Sequence, residues 1–145
     1  MRGLPVVLAA VHRGPFATLE PIARALKPRR IVRVLDGTAA QEARRRSIPY
    51  VPWPIRGPRA WLRGLRPGAL IRGTSELPPG RNAEAILARA AAAEGIPVFA
   101  VEDFPGNFRD ARVHPLAGLF VEFEWSRRLH RRRGLRAPIR ALGNP

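Results

Sequence analysis

Gly68-Ala-Leu-Ile-Arg-Gly-Thr-Ser-Glu76 and, beyond an alanine-rich segment, Ile96-Pro-Val-Phe-Ala-Val-Glu-Asp-Phe-Pro-Gly-Asn107 decide the fold. The apolar run Ala69 to Ile71 stops at Gly73-Thr74-Ser75-Glu76, and Pro78-Pro79-Gly80 marks a turn. Asn82 can then cap a helix in which Ala83, Ile86, Leu87 and Ala90 recur at i, i+3, i+4 and i+7. Glu94-Gly95-Ile96-Pro97 closes it: glycine suits the left-handed position after the cap, Ile96 packs back on the last turn, and proline forbids continuation. Val98 to Val101 is a second buried-strand run, ending on Glu102, Asp103 and Asn107. Strand, helix and strand in this order form a β-α-β unit, whose crossover makes the strands parallel.

Working outward to the N-terminus, Leu4 to Val11 is almost continuously apolar, as a strand covered on both faces must be. This is the longest apolar stretch, well short of the ~20 residues that cross a bilayer. It opens into His12-Arg13-Gly14-Pro15-Phe16. Thr18 is then the expected cap of a helix with Leu19, Ile22 and Leu26 inward and Pro21 in its first turn, ended by Lys27-Pro28. Ile31 to Leu35 reads as a strand, Asp36-Gly37-Thr38 as a turn, Ala39 to Arg46 as a helix, and Tyr50-Val51 as a short strand. Between Pro52 and Pro67 the pattern breaks, leaving a short helical piece that would gather Trp61, Leu62 and Leu65.

On the C-terminal side, Phe108 to Pro115 reads as a loop. Gly118 to Trp125 reads as a strand near the sheet edge, because Val121, Phe123 and Trp125 alternate with Glu122 and Glu124. Ser126 is expected to cap a helix from Arg127 to Arg133, stopped by Gly134, and Ala137 to Leu142 is a last short strand. The prediction is an α/β domain with one open, mostly parallel sheet of about six strands and helices on both faces.

At 145 residues the chain is a single domain able to bury roughly two-thirds of its unfolded surface. It has no cysteine, which excludes disulfides and thiolate metal sites and suits the cytoplasm. Net charge is +15, but unevenly placed: residues 1–67 carry 14 basic and 3 acidic side chains, residues 68–107 carry 3 and 5, and residues 108–145 carry 9 and 3. The basic flanks call for an anionic partner, whether nucleic acid, an anionic lipid surface or a phosphorylated substrate. Lysine appears once, at Lys27, against 25 arginines; with abundant Ala, Gly and Pro this points to a GC-rich coding bias behind part of the charge.

In open parallel sheets, ligands bind beyond the carboxyl ends of the strands where the connection order reverses. That rule selects three loops: His12 to Phe16, Gly73 to Glu76, and Glu102 to Arg109. His12, Arg13 and Gly14, between strand and helix, can hold a phosphate through backbone N–H groups, with Arg13 as bidentate partner. Thr74, Ser75 and Glu76 offer hydroxyls and a carboxylate for a polar ligand; no GxSxG surrounds Ser75, so a nucleophilic serine is not expected. Glu102 and Asp103 are the candidate catalytic carboxylates, as a general base or as sugar-hydroxyl ligands. Being adjacent, they face opposite ways, and Asp103 is favoured. Asn107 and Arg109 complete the candidate binding set. The three histidines (His12, His114 and His130) are scattered, and neither a metal site nor a cofactor is expected.

Two further groups bear on partners. Trp53, Trp61 and Leu65, flanked by Arg59, Arg63 and Arg66, either cover the sheet or form an interfacial patch with arginines on lipid phosphates. Arg127, Arg128 and Arg131, in the densest basic run, form a solvated or anion-contacting face; nucleic acid is the other reading of that run.

The strand–His12-Arg13-Gly14-Pro15-Phe16–helix order resembles the first β-α loop of UDP-N-acetylglucosamine 2-epimerases and GT-B-fold glycosyltransferases, with Arg13 matching the arginine of that loop in the epimerases. Gly73-Thr74-Ser75, the alanine-rich helix, Glu94-Gly95-Ile96-Pro97, the apolar strand and Asp103-Phe104 resemble the N-terminal domain of bacterial glycosyltransferase-like polysaccharide proteins. The resemblance spans the whole chain. It implies a Rossmann-like acceptor-side domain over residues 1–142, with Gly143-Asn144-Pro145 as the start of a hinge. In that family the second domain binds most of the nucleotide-sugar, and the first contributes the acceptor side and sometimes a catalytic base.

The resulting expectation is the acceptor-binding half of a glycosyltransferase or nucleotide-sugar epimerase. It would bind a UDP-sugar weakly by itself, take an anionic acceptor at the inner face of the membrane, and turn over only with a C-terminal nucleotide-binding partner. The competing expectation is a non-enzymatic, arginine-rich nucleic-acid-binding module.

Overall fold

The computed structural model describes residues 3–110 and 112–143. Seven strands form one open sheet in the order β3-β2-β1-β4-β5-β6-β7, and every neighbouring pair is parallel. In chain order the elements are β1 (Val6–Ala10), α1 (Arg13–Ala25), β2 (Ile31–Leu35), α2 (Gly37–Arg45), β3 (Val51–Pro52), α3 (Pro58–Leu65) and β4 (Ala69–Arg72). A 3-10 turn (Pro79–Arg81), α4 (Ala83–Ala93), β5 (Val98–Val101), β6 (Gly118–Val121), α5 (Glu124–Arg132) and β7 (Ile139–Ala141) follow. The count exceeds the expected six by one, and the architecture is the one anticipated.

Period-two alternation divides the core into two layers. Val6, Leu8 and Ala10 face one way and meet Phe16, Leu19 and Ala23 of α1 and Ala39 and Ala43 of α2. Val7, Ala9, Val32, Val34 and Leu70 face the other way and meet Leu62 of α3 and Leu87, Ala88 and Ala91 of α4. Under α5, the second layer continues as Ala100, Leu119, Val121, Leu135 and Ile139. β1 is buried throughout, as its unbroken apolar run requires.

The central unit forms for the reasons its sequence states. Asn82 Oδ1 accepts from the N–H groups of Glu84 (3.0 Å) and Ala85 (3.4 Å), capping α4. At its end Gly95 takes φ +70°, and the N–H groups of Ile96 and Gly95 bond the carbonyls of Ala91 and Ala92, a Schellman closure.

Three expectations are corrected. First, α1 begins at Arg13 rather than after Thr18: His12 is the extended cap residue, and Thr18 lies inside the helix with its hydroxyl on the Gly14 carbonyl at 3.2 Å. Pro15 therefore occupies the first turn. Pro21 is interior, with its unmatched partner carbonyl at Ala17, and both residues are exposed so that water can serve that carbonyl. Secondly, β6 ends at Val121, and the alternation through Trp125 continues into a helix that starts at Glu124. Phe123 and Trp125 stack on each other at 6.1 Å instead of lining a sheet face. Thirdly, Ser126 is no cap; it is buried within α5 and bonds the Glu102 carboxylate. The Gly134 stop holds, at φ +86°. Of the anticipated hinge, Asn144 and Pro145 lie outside the described residues.

Candidate functional site

The strand order reverses between β1 and β4: β1 leads to β2 on one side, and β4 to β5 on the other. The chain leaving these two strands must therefore diverge, and a crevice opens at their carboxyl ends. A buried ionic network props the crevice open. Arg72, the last residue of β4, is fully buried, as is Glu84 in the first turn of α4. Glu84 Oε1 accepts from the Val11 N–H (2.9 Å) and the Ser75 hydroxyl (2.6 Å), while Oε2 accepts from the Ser75 N–H (2.9 Å). One carboxylate thus ties the ends of β1 and β4 to the start of α4.

Arg72 answers that charge. Its Nη2 lies 2.7 Å from Asp110 Oδ2 and 3.4 Å from Glu84 Oε2, and its Nε donates to the Gly73 carbonyl at 2.9 Å. Its Nη1 contacts His114 Nε2 at 2.9 Å. A guanidinium can only donate, so Nε2 is the acceptor, and the ring carries its proton on Nδ1, facing the Pro115 carbonyl at 3.1 Å. His114 is neutral in this arrangement. In keeping with that, burial, reinforced by the Arg72 charge, pulls its pKa below the ordinary histidine value against the opposing hydrogen bond to Pro115.

Above this network lies the cleft. One part, of about 430 Å³, is lined by His12, Gly14, Ser75, Glu76, Asp103 and Asn107; another, of about 300 Å³, shares Ser75, Glu76 and Asn107 and adds Thr74 and Arg109. The His12 N–H donates to Ser75 Oγ at 3.2 Å, joining the first loop to the second. Thr74 Oγ1 lies 2.6 Å from Asn107 Oδ1 and 3.0 Å from Asp103 Oδ1, and its single proton serves these two acceptors. The Asn107 amide donates to Asp103 Oδ1 (2.9 Å) and to the Thr74 carbonyl (3.0 Å). Asp103 Oδ1 is therefore held from two sides. Its Oδ2 stands over Gly14, so close that a Cβ on residue 14 would lie 2.6 Å from it. Among the described residues no side chain or turn N–H donates to Oδ2.

Adjacent carboxylates face opposite ways, as their places on one extended segment require. Glu102 turns beneath the sheet edge, where it accepts from the Gly106 N–H (2.8 Å) and bonds Ser126 and His130. Burial acts to raise its pKa, but the hydrogen bonds from His130, Ser126 and Gly106 outweigh burial and leave it below the ordinary carboxylate value. Glu102 fastens the coil after β5 to α5, and Asp103 is the carboxylate at the cleft.

Arg13 does not line the cleft. Its N–H donates to Thr38 Oγ1 at 3.0 Å, and its charge acts on Glu42 of α2. With the His12 and Arg13 N–H groups engaged, Pro15 lacking one and Asp103 standing over Gly14, the start of α1 has little left to offer a phosphate. Trp53 and Trp61 are half-buried and pack on the α3/α4 side of the core, and Arg59 and Arg63 lie 2.6 and 3.6 Å from Glu94. Arg127 and Arg128 reach Glu124, and Arg131 donates to the Leu135 carbonyl at 2.9 Å. Among the described residues no cluster of His, Cys, Asp and Glu could hold a metal ion, and no helix is long and apolar enough to cross a membrane.

Sequence reasoning overlooked Arg72 and Glu84. The available signal was an arginine closing an apolar strand, which must find a counter-charge if the strand is buried on both faces.

Fold and cleft together define a doubly wound, Rossmann-like α/β domain with a polar, carboxylate-bearing crevice at its switch point. Comparison with known protein families and with curated proteins gives no match.

Proposed function

We propose that the cleft binds the hydroxyl-bearing acceptor of a glycosyl-transfer or nucleotide-sugar epimerisation reaction, with Asp103 as the general base. One observation carries the reading: Asp103 has one oxygen fixed by Thr74 and Asn107 and the other open to a cleft formed by three separate strand ends. A carboxylate so oriented can accept a proton from a sugar hydroxyl within hydrogen-bond reach, making that oxygen a better nucleophile. Ser75 and Glu76 add partners for neighbouring hydroxyls, and the exposed Phe104 flanks the opening as a surface for a pyranose ring. The lining around Asp103 favours a hydroxyl-rich over a phosphate-rich ligand, since Glu76 and Asp103 are both acidic and the start of α1 has few donors to spare.

In this reading a UDP-type sugar is held chiefly by a nucleotide-binding domain supplied in addition to this one, and the present domain contributes acceptor and base. Reconstitution with such a partner tests it. Release of UDP from a UDP-sugar, or interconversion of the sugar, should require both components and fall by about 10²–10⁴-fold in Asp103→Asn. Equal turnover by that variant, or none by the wild-type pair, rejects the reading. The nucleic-acid alternative gains no support from α5, whose Arg127, Arg128 and Arg131 make contacts within the chain.

A further inference from the structure

A separate hollow of about 780 Å³ lies between the coil that follows β5 and the end of α5. Its volume falls in the range of small-molecule sites. Arg109 and Arg112 border it from the coil, and Arg133 and Arg136 from the turn after α5; no acidic residue lines it. Among the described residues none of these four guanidinium groups lies within ion-pair distance of a carboxylate. Arg133 is held in place, with Nη1 donating to the Gly106 carbonyl at 2.6 Å. The hollow also has an apolar side: Phe108 and Leu135, both buried, and Leu116 and Ala137, both half-buried.

The end of a helix ordinarily repels anions through its free carbonyls. Here two of those carbonyls are taken. The N–H groups of Leu135 and Gly134 bond the carbonyls of His130 and Arg131, and the Leu135 carbonyl accepts from Arg131. His130, the one imidazole at the hollow, is buried and bonded to Glu102, both of whose oxygens are engaged. What remains is four positive groups of planar, forked geometry around a cavity with an apolar side. Left unoccupied, they repel one another; a ligand with several phosphate oxygens relieves that repulsion and can be gripped by more than one fork. A bare phosphate would leave the apolar side of the hollow, where Leu116 and Ala137 keep part of their surface accessible, unfilled.

We infer that this hollow is a binding site for a small organic diphosphate, with the diphosphate among Arg109, Arg112, Arg133 and Arg136 and a flat or apolar group against Leu116 and Ala137. The site stands apart from the Asp103 carboxylate and does not depend on the acceptor reading, although Phe108 and Arg109 border both openings.

Titration calorimetry of the purified chain with adenosine diphosphate, uridine diphosphate and inorganic pyrophosphate tests the inference. A nucleoside diphosphate should bind several-fold more tightly than pyrophosphate. Arg112→Ala/Arg136→Ala should raise its Kd by about tenfold to a hundredfold, with the thermal melt preserved because both residues are exposed. Arg127→Ala/Arg128→Ala on α5, and Asp103→Asn in the cleft, should leave that Kd unchanged. The inference is overturned if the first pair binds like the parent, if the α5 pair loses as much, if Asp103→Asn abolishes binding, or if pyrophosphate binds equally well. It is also overturned if the arginines hold only phosphatidylglycerol vesicles in a flotation assay and no soluble diphosphate.

Discussion

Asp103 can present Oδ2 to the cleft because Oδ1 is held by Asn107 and Thr74, and the room in front of Oδ2 exists because residue 14 has no side chain. Two glycines near this carboxylate allow contrasting experiments. In Gly14→Ala the new methyl would meet Oδ2 at 2.6 Å, the far end of a rotatable side chain, so the carboxylate swings aside. Acceptor binding should fall with little change in the thermal melt, because the about 0.5–1 kcal/mol by which alanine favours a helix over glycine is set against the disturbed Thr74 and Asn107 bonds to Oδ1. In Gly73→Ala the methyl would meet Pro15 Cβ at 2.3 Å and Glu84 Oε1 at 3.1 Å, neither of which can retreat. That variant should lose about 1–3 kcal/mol in urea denaturation. At this scale the sequence discloses the direction of Asp103, through its adjacency to Glu102, and conceals the partners of both. Which donor meets which oxygen depends on Thr74, Asn107, Ser126 and His130, brought together over up to 33 residues of chain.

The elements around the crevice are held by ions where most β-α junctions are held by apolar contact. Glu84 bridges β1, β4 and α4, and Arg72 reaches across to the coil carrying Asp110 and His114. Removing Arg72 strands Glu84 and Asp110 without their counter-charge, so Arg72→Met should cost about 3–5 kcal/mol in equilibrium unfolding, whereas Glu84→Gln should cost less because Arg72 keeps Asp110 at 2.7 Å. The same junction makes the fold acid-sensitive. Burial and Arg72 keep the folded pKa of His114 below the unfolded value of 6.5. Between those two values the unfolded chain binds a proton that the native chain does not, so stability falls as pH drops through that window and levels off below it. The urea midpoint should decline as pH falls below about 6.5, and less steeply in His114→Asn. Element ends are also where reading the sequence fails. Thr18 and Ser126 both look like caps, because hydroxyls near a periodic run usually are, yet each lies inside its helix, bonded to the Gly14 carbonyl and to Glu102. Asn82 and Gly95 read correctly because their signals are local: a side-chain oxygen two and three residues from its donors, and a positive φ.

Across the whole molecule, strands separated by helices, and in one case (β5 to β6) by a long coil, form one parallel sheet, since a crossover between parallel strands has little choice of hand. The switch point follows from the same rule, which is why residues near 13, 75 and 103 are expected on one rim; His12 and Gly14, not Arg13 itself, line it with Ser75 and Asp103. The arginine hollow follows from no such rule: it forms only once the coil after β5 and the turn after α5 are laid side by side.

The strand order carries a further consequence, for synthesis. Beyond β4 each new strand pairs with the one made just before it, so β5, β6 and β7 can be added as they leave the ribosome. β1 is the exception. It is entirely apolar, pairs on one side with β2, and must leave its other edge open until Ala69–Arg72 has been translated, some 60 residues later. Nascent chains arrested before residue 69 should therefore recruit chaperones or aggregate, and those arrested once β4 and α4 have cleared the exit tunnel should become protease-resistant. Protease mapping of ribosome-stalled chains of increasing length would show that step, and a gradual gain of resistance would refute it.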